Sequence, residues 1–228
     1  MSISNLEKTI EYNFKDQSFL KEAMTHRSYL NENTDWKFPH NERLEFLGDA
    51  VLELAVTEEL FNRFPNDDEG KLTTLRAALV NYQILAQIGK EIILDKEILL
   101  SKGEAKDTGK ARDVIIANAM EALIGAIYLD SDYSQIKNFV NKFILIKVEE
   151  VLRNGSYKDA KSLLQEKMQS EKKITPTYKN LEESGPEHQK LFKVGVYSED
   201  EFLASGEGYS KQEAEVEAAK KALRRHPY

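Results

Sequence analysis

The feature that most restricts the fold is a change of hydrophobic period near residue 157. Before it, apolar residues recur at three- and four-residue spacing, the repeat of a helix with one buried face. After it, short alternating runs appear, the repeat of a half-buried strand. The spacing predicts helices over 41–63, 71–93, 113–129 and 133–152, and Ser4 with Glu7 has the pattern of a capping box opening an earlier helix. Pro65, the Asn66-Asp67-Asp68-Glu69-Gly70 run and residues 101–110 are the expected breaks. Residues 1–152 are therefore expected to form an all-α domain, with 153–157 (Arg153-Asn154-Gly155-Ser156-Tyr157) as a polar linker. Residues 158–228 read as a small α+β domain of order α-β-β-β-α: helices over 159–171 and 210–225, strands over 177–183, 190–197 and 201–207. Three strands between two helices in so short a stretch imply an antiparallel sheet with both helices on one face. Ser210 and Glu213 repeat the capping-box pattern, and Ser205-Gly206-Glu207-Gly208 reads as a turn out of the last strand.

Composition removes several functions. With no cysteine among 228 residues, disulfide frameworks, thiolate zinc sites, iron–sulfur clusters and cysteine nucleophiles are excluded, so any metal is held by oxygen or imidazole. The four histidines show no i, i+4 pairing, which argues against zinc. The opening MSISNLEKTIEYNF lacks the basic and apolar segments of a signal peptide. The longest mostly apolar run, 114–129, contains Asn118 and Glu121 and is too short to span a bilayer comfortably. A cytoplasmic protein without a membrane partner is expected. Taken alone, the formal charge of −7 counts against binding to nucleic acid. Residues 158–228, however, carry 13 basic and 13 acidic side chains, so the whole excess of acid falls on residues 1–157.

Within that acidic part, residues 41–54 (NERLEFLGDAVLEL) carry the most information. On a helix, Leu44, Leu47, Val51, Leu54 and Ala55 fall within an arc of about 100° and are expected to face the core. Glu42, Glu45, Asp49 and Glu53 lie on roughly the opposite side. Either they form a solvated acidic face or they await a cation. No Lys or Arg is interleaved at i+4 to relieve their repulsion. Phe46 stands beside these carboxylates, where an exposed aromatic calls for a partner surface. Glu121 and Asn118, one turn apart, interrupt an otherwise apolar helix. A buried charge there needs either an ion pair, with Arg43 or Arg76, or a metal. If Glu45, Asp49, Asn118 and Glu121 converge, their oxygens suit Mg²⁺, and such a site suits hydrolysis of a phosphodiester.

NERLEFLGDAVLEL resembles the signature of the ribonuclease III family, supported by THRSYLNE at 25–32, PNDDEGKLT at 65–73 and EALIGAIYLD at 121–130. The tail, with GPEH at 185–188 and SKQEAEVEAAKKAL at 210–223, resembles the double-stranded-RNA-binding domain that follows the nuclease domain in bacterial members. The resemblance implies a homodimeric, metal-dependent endoribonuclease. It would cut duplex RNA to 5′-phosphate and 3′-hydroxyl ends with short 3′ overhangs, with roles in rRNA and mRNA processing and no small-molecule substrate. It implies Glu45, Asp49 and Glu121 as metal ligands, with Asp49 and Glu121 nearest the catalysis. Glu42 and Glu69 become accessory acids, and Phe46 a knob entering a socket on the partner subunit. His26, Arg27 and Tyr29 are expected to support the scaffold. Mg²⁺ is the implied cofactor, with Mn²⁺ able to substitute. One position departs from the family pattern: Asn118 stands where the family usually carries aspartate, so a weaker metal site is expected.

At the RNA-binding end the resemblance implies minor-groove contacts from Gln165 and Glu166, a 2′-hydroxyl contact from His188, and phosphate contacts from Lys211 and Gln212 at the start of the last helix. The family often has lysine at the position of Gln212, which weakens that contact here. Two alternatives remain at this stage. One is a regulator that binds duplex RNA without cutting it, motivated by Asn118. The other is an acidic helical interaction protein with an appended module.

Overall fold

The computed structural model of the chain describes residues 4–154, 160–186 and 190–225. The chain divides into two compact units, Met1–Tyr157 and Lys158–Tyr228.

The first unit contains, among the described residues, the helices α1 (Ser4–Ile10), α2 (Gln17–Ala23), α3 (Arg27–Glu32), α4 (Glu42–Arg63), α5 (Glu69–Leu79), α6 (Tyr82–Glu91), α7 (Lys110–Asp130), α8 (Tyr133–Phe143) and α9 (Val148–Asn154). Helix α7 is apolar nearly all round, and such a helix belongs in the middle of a core. Ile116, Met120, Leu123 and Ile124 are fully buried, with α4, α6, α2 and α8 packed about them.

The joint between α4 and α7 is made of backbone. A Cβ on Gly48 would stand 1.8 Å from the Glu121 carbonyl oxygen, and a Cβ on Gly125 would stand 2.4 Å from the Leu44 carbonyl oxygen. Each glycine thus admits the other helix at a distance no side chain tolerates. This approach shifts the buried stripe of α4 to Leu44, Gly48, Val51, Leu52, Ala55, Val56 and Leu60. Leu54, expected in the core, is 58% exposed instead, and Leu47 is only half-buried.

Other helix boundaries depart from the expected ones for local reasons. The segment 71–93 is two helices, not one. Asp68 caps α5 by accepting from the Lys71 N–H, so Glu69 and Gly70 are already helical. Asn81 caps α6 by accepting from the Ile84 N–H, which breaks the helix after Leu79. The segment 133–152 is interrupted by a 3₁₀ turn at Leu145–Lys147, and its last helix runs on through Arg153 and Asn154, two residues expected in the linker. Residues 155–157 lie outside the described residues. The side chain of Ser4 lies outside the described residues; the Glu7 carboxylate accepts from the Phe14 N–H at 2.9 Å and the Gln17 amide at 2.7 Å, fastening α1 to the next segment. Asp130, at the end of α7, accepts from the Tyr12 hydroxyl and from the Lys15 and Asp16 N–H groups.

The second unit has the expected order: α10 (Ala160–Lys172), β1 (Thr177–Ser184), β2 (Leu191–Ser198), β3 (Glu201–Gly208) and α11 (Lys211–Arg225). The three strands form an antiparallel sheet β1-β2-β3, with Asn180 opposite Val194 and Val194 opposite Gly206. Both helices close over one face, burying Leu164, Met168, Val196, Leu203, Ala204, Ala218 and Ala222 together. Ser205 to Gly208 are not a turn but the last residues of β3. A Cβ on Gly206 would meet the Ala218 nitrogen at 2.2 Å, so this glycine exists to let α11 lie on the strand. At the head of α11, the Ser210 hydroxyl accepts from the Glu213 N–H and the Glu213 carboxylate accepts from the Tyr209 N–H, a close variant of the expected box.

Candidate active site and RNA-binding surface

The glycine joint fixes where the acids stand. Glu45 and Asp49 flank Gly48 on α4, while Glu121 supplies the carbonyl that Gly48 touches and Asn118 lies one turn before it on α7. Glu45, Asn118 and Glu121 are half-buried and Asp49 is exposed. Burial pushes the Glu121 carboxyl up to about 8, helped by the charges of Asp49 and then Glu45. Glu45 is likewise raised by burial and by Glu42 and Asp49, against a hydrogen bond from the Asn118 side chain that lowers it. Neither balance includes a cation. The ion pair considered for Glu121 is absent: Arg43 is exposed, and Arg76 donates to the Thr57 hydroxyl at 3.0 Å.

The donor set therefore fits a hard cation. It is all oxygen, three carboxylates and an amide, under mutual repulsion that a divalent ion relieves. Among the described residues, no three His, Cys, Asp or Glu side chains are gathered closely enough to hold a metal ion as they stand.

The other expected residues fall at varied distances from this array. Glu42 turns its carboxylate to Arg27 at 3.6 Å and His40 at 3.8 Å, although its charge still acts on Glu45. Glu69 opens α5, exposed, and accepts from the Thr73 hydroxyl at 3.1 Å. Its charge is not among those acting on Glu45 or Glu121. Phe46 is 80% exposed. It stands at the edge of an open hollow lined on its apolar side by Phe19, Leu44, Leu47 and Leu129 and otherwise by Glu22, His40, Glu42 and Arg43. His26 caps α3 through its imidazole, which meets the Ser28 hydroxyl at 2.8 Å, a scaffold role.

In the second unit Gln165 and Glu166 are exposed on α10, on the side away from Leu164 and Met168. Lys211 and Gln212 are exposed in the first turn of α11. His188 lies outside the described residues. Sequence reasoning missed Glu183 and Lys190. Glu183 pairs with both Lys190 and Lys211, and its only signal was a lysine just past the GPEH segment.

Comparison with known proteins agrees with this architecture. Residues 16–148 match the family model "Ribonuclease-III-like" and residues 160–226 match "Double-stranded RNA binding motif". The ribonuclease 3 of Carboxydothermus hydrogenoformans is 45% identical over 222 residues, covering 97% of this chain and 94% of that protein. That of Borreliella burgdorferi is 42% identical, covering 97% and 90%. The solved nuclease domain of ribonuclease III from Campylobacter jejuni shares 43% identity over 63% of this chain and 96% of its own, with a TM-score of 0.57. No helix among the described residues is long and apolar enough to cross a membrane. A helical unit built on an acidic helix pair, an α-β-β-β-α unit behind it and likeness along nearly the full length place the chain in the ribonuclease III family, metal-dependent endoribonucleases specific for double-stranded RNA.

Proposed function

We propose that Glu45, Asp49, Asn118 and Glu121 form the metal-dependent cleavage site, with Mg²⁺ as the natural ion and Mn²⁺ able to substitute. The observation that carries this reading is the joint at Gly48, which brings the helix bearing Glu45 and Asp49 against the Glu121 backbone, where burial and the charges of Asp49 and Glu45 raise the Glu121 carboxyl to about 8. When bound, a divalent ion supplies Lewis acidity and charge neutralisation for phosphodiester hydrolysis. The residues do the rest. Glu121 and Asp49 would hold the ion with their negative charge, backed by the apolar residues of α7. Glu42 and Glu69 act as outlying acids at the cleft rim. The products are 5′-phosphate and 3′-hydroxyl ends with short 3′ overhangs.

Two chains join through their nuclease units, each Phe46 entering the hollow beside the partner's Phe46, so that one duplex meets two sites. Support comes from the 80% exposure of Phe46 next to a hollow whose apolar residues are Phe19, Leu44, Leu47 and Leu129, with Glu22, His40, Glu42 and Arg43 also lining it. The second unit grips the duplex through Gln165, Glu166, His188, Lys211 and Gln212. Processing of rRNA precursors and other structured RNAs in the cytoplasm is the cellular role that fits. In a cleavage assay on a long RNA duplex with Mg²⁺, Glu121→Gln is expected to abolish cutting while leaving duplex binding intact. A fully active Glu121→Gln would sink the site assignment.

A further inference from the structure

Among the described residues, Glu183 is the acid that pairs with Lys211. It lies on β1 directly across from Phe192. One carboxylate oxygen takes Lys211 Nζ at 3.4 Å and the other takes Lys190 Nζ at 2.8 Å. Both ammonium groups lie over the same Phe192 ring, at 5.7 Å from its centroid for Lys211 and 5.8 Å for Lys190. The Asn180 amide donates to the Glu183 carboxylate at 2.6 Å, which fixes the carboxylate itself. Three elements thus bring two lysines to one aromatic platform, and the group leaves one net positive charge facing solvent.

Lysine is a flexible point charge, and most of its cost in binding phosphate is loss of side-chain freedom. Here that freedom is already restricted. The ring lies beneath both ammonium heads and the carboxylate pairs with each of them. Gln212, next to Lys211 on α11, carries no charge, so Lys190 is the residue that makes a cation pair at this corner. Glu183 remains close enough to repel an arriving phosphate. Its value therefore depends on whether positioning outweighs repulsion.

We propose that Lys190 contacts an RNA phosphate together with Lys211, and that Glu183 is a positioning residue that holds the two lysines at a fixed spacing on Phe192. The proposal rests on the reading of the second unit as the duplex-gripping one and names a further part of that surface. The test is equilibrium binding of the full chain to a perfectly paired RNA duplex longer than ~16 base pairs, in EDTA so that nothing is cut, across a series of KCl concentrations.

Lys190→Ala is expected to reduce the slope of log K against log salt by about 0.9, the loss of one phosphate contact, and Lys190→Arg to restore it. Glu183→Gln removes a negative charge from the surface yet is expected to weaken binding roughly three- to tenfold, because the lysines lose their guide. An unchanged slope in Lys190→Ala, with the circular dichroism spectrum of the parent, overturns the contact. Equal or tighter binding by Glu183→Gln overturns the positioning role and marks Glu183 as a repelling charge only. If the parent chain itself failed to bind the duplex, the reading of the whole unit would fall, an outcome separate from either of these.

Discussion

At the scale of single residues, the site is governed by like charges that have no partner. The Glu121 carboxyl is raised from 4.5 to about 8, so its neutral form is favoured in the folded, metal-free protein. The resulting stability is fully present below the unfolded value and is lost as pH rises through the folded one. The nuclease unit in EDTA is thus expected to lose unfolding temperature between pH 4.5 and 8, and Glu121→Gln to remove most of that loss. Thermal unfolding followed across this range decides it; parallel curves for the two proteins would contradict the assignment. Asn118 belongs to the same balance. Its side chain hydrogen-bonds Glu45, where an aspartate would add a fourth repelling charge. Asn118→Asp is therefore expected to lower metal-free stability and to reduce the Mg²⁺ concentration needed for half-maximal cleavage. Unchanged metal dependence would contradict this. These residues were legible in the sequence as acids at helical spacing without i+4 cations, and their roles came from the resemblance. Glu42 and Glu69 were less so, since hydrogen bonds and ion pairs to Arg27, His40 and Thr73 turn their carboxylates elsewhere.

At the scale of elements, hydrophobic period predicted type and order well and failed at two kinds of place. The first was the cap. Asn81 splits one predicted helix into two by taking a single N–H, a local event that apolar spacing does not report. The second was glycine. Gly48, Gly125 and Gly206 look permissive in sequence, yet each marks a point where one backbone touches another. The exposure of Leu54 follows from Gly48, because close approach at the glycine decides which side of α4 is covered. Gly48→Ala is expected to cost at least roughly 1–3 kcal/mol, the usual penalty of an overpacked core, measured by urea unfolding. It should also impair cleavage, since the added methyl pushes the helix bearing Glu45 and Asp49 away from Glu121. A stable, fully active variant would show that the joint is not what sets the site.

For the whole molecule, total charge is a poor guide and its distribution a good one. The excess acid lies in the unit that carries the proposed metal site, and the second unit is neutral with two of its lysines gathered over Phe192. The proposed dimer is a property of the same scale. Phe46→Glu is expected to give monomers in sedimentation, with cleavage falling at low protein concentration and duplex binding retained. Dimers unchanged by this substitution would mean that Phe46 is not the contact.

The clamp at the end of α7 bears on how the chain comes into being. Asp130 receives its hydrogen bonds from residues 114 to 118 positions earlier: Tyr12, Lys15 and Asp16. During synthesis those groups leave the ribosome long before the carboxylate that will fasten them exists. The start of the chain must wait, and this unit closes only after α7 has been made to its last residue.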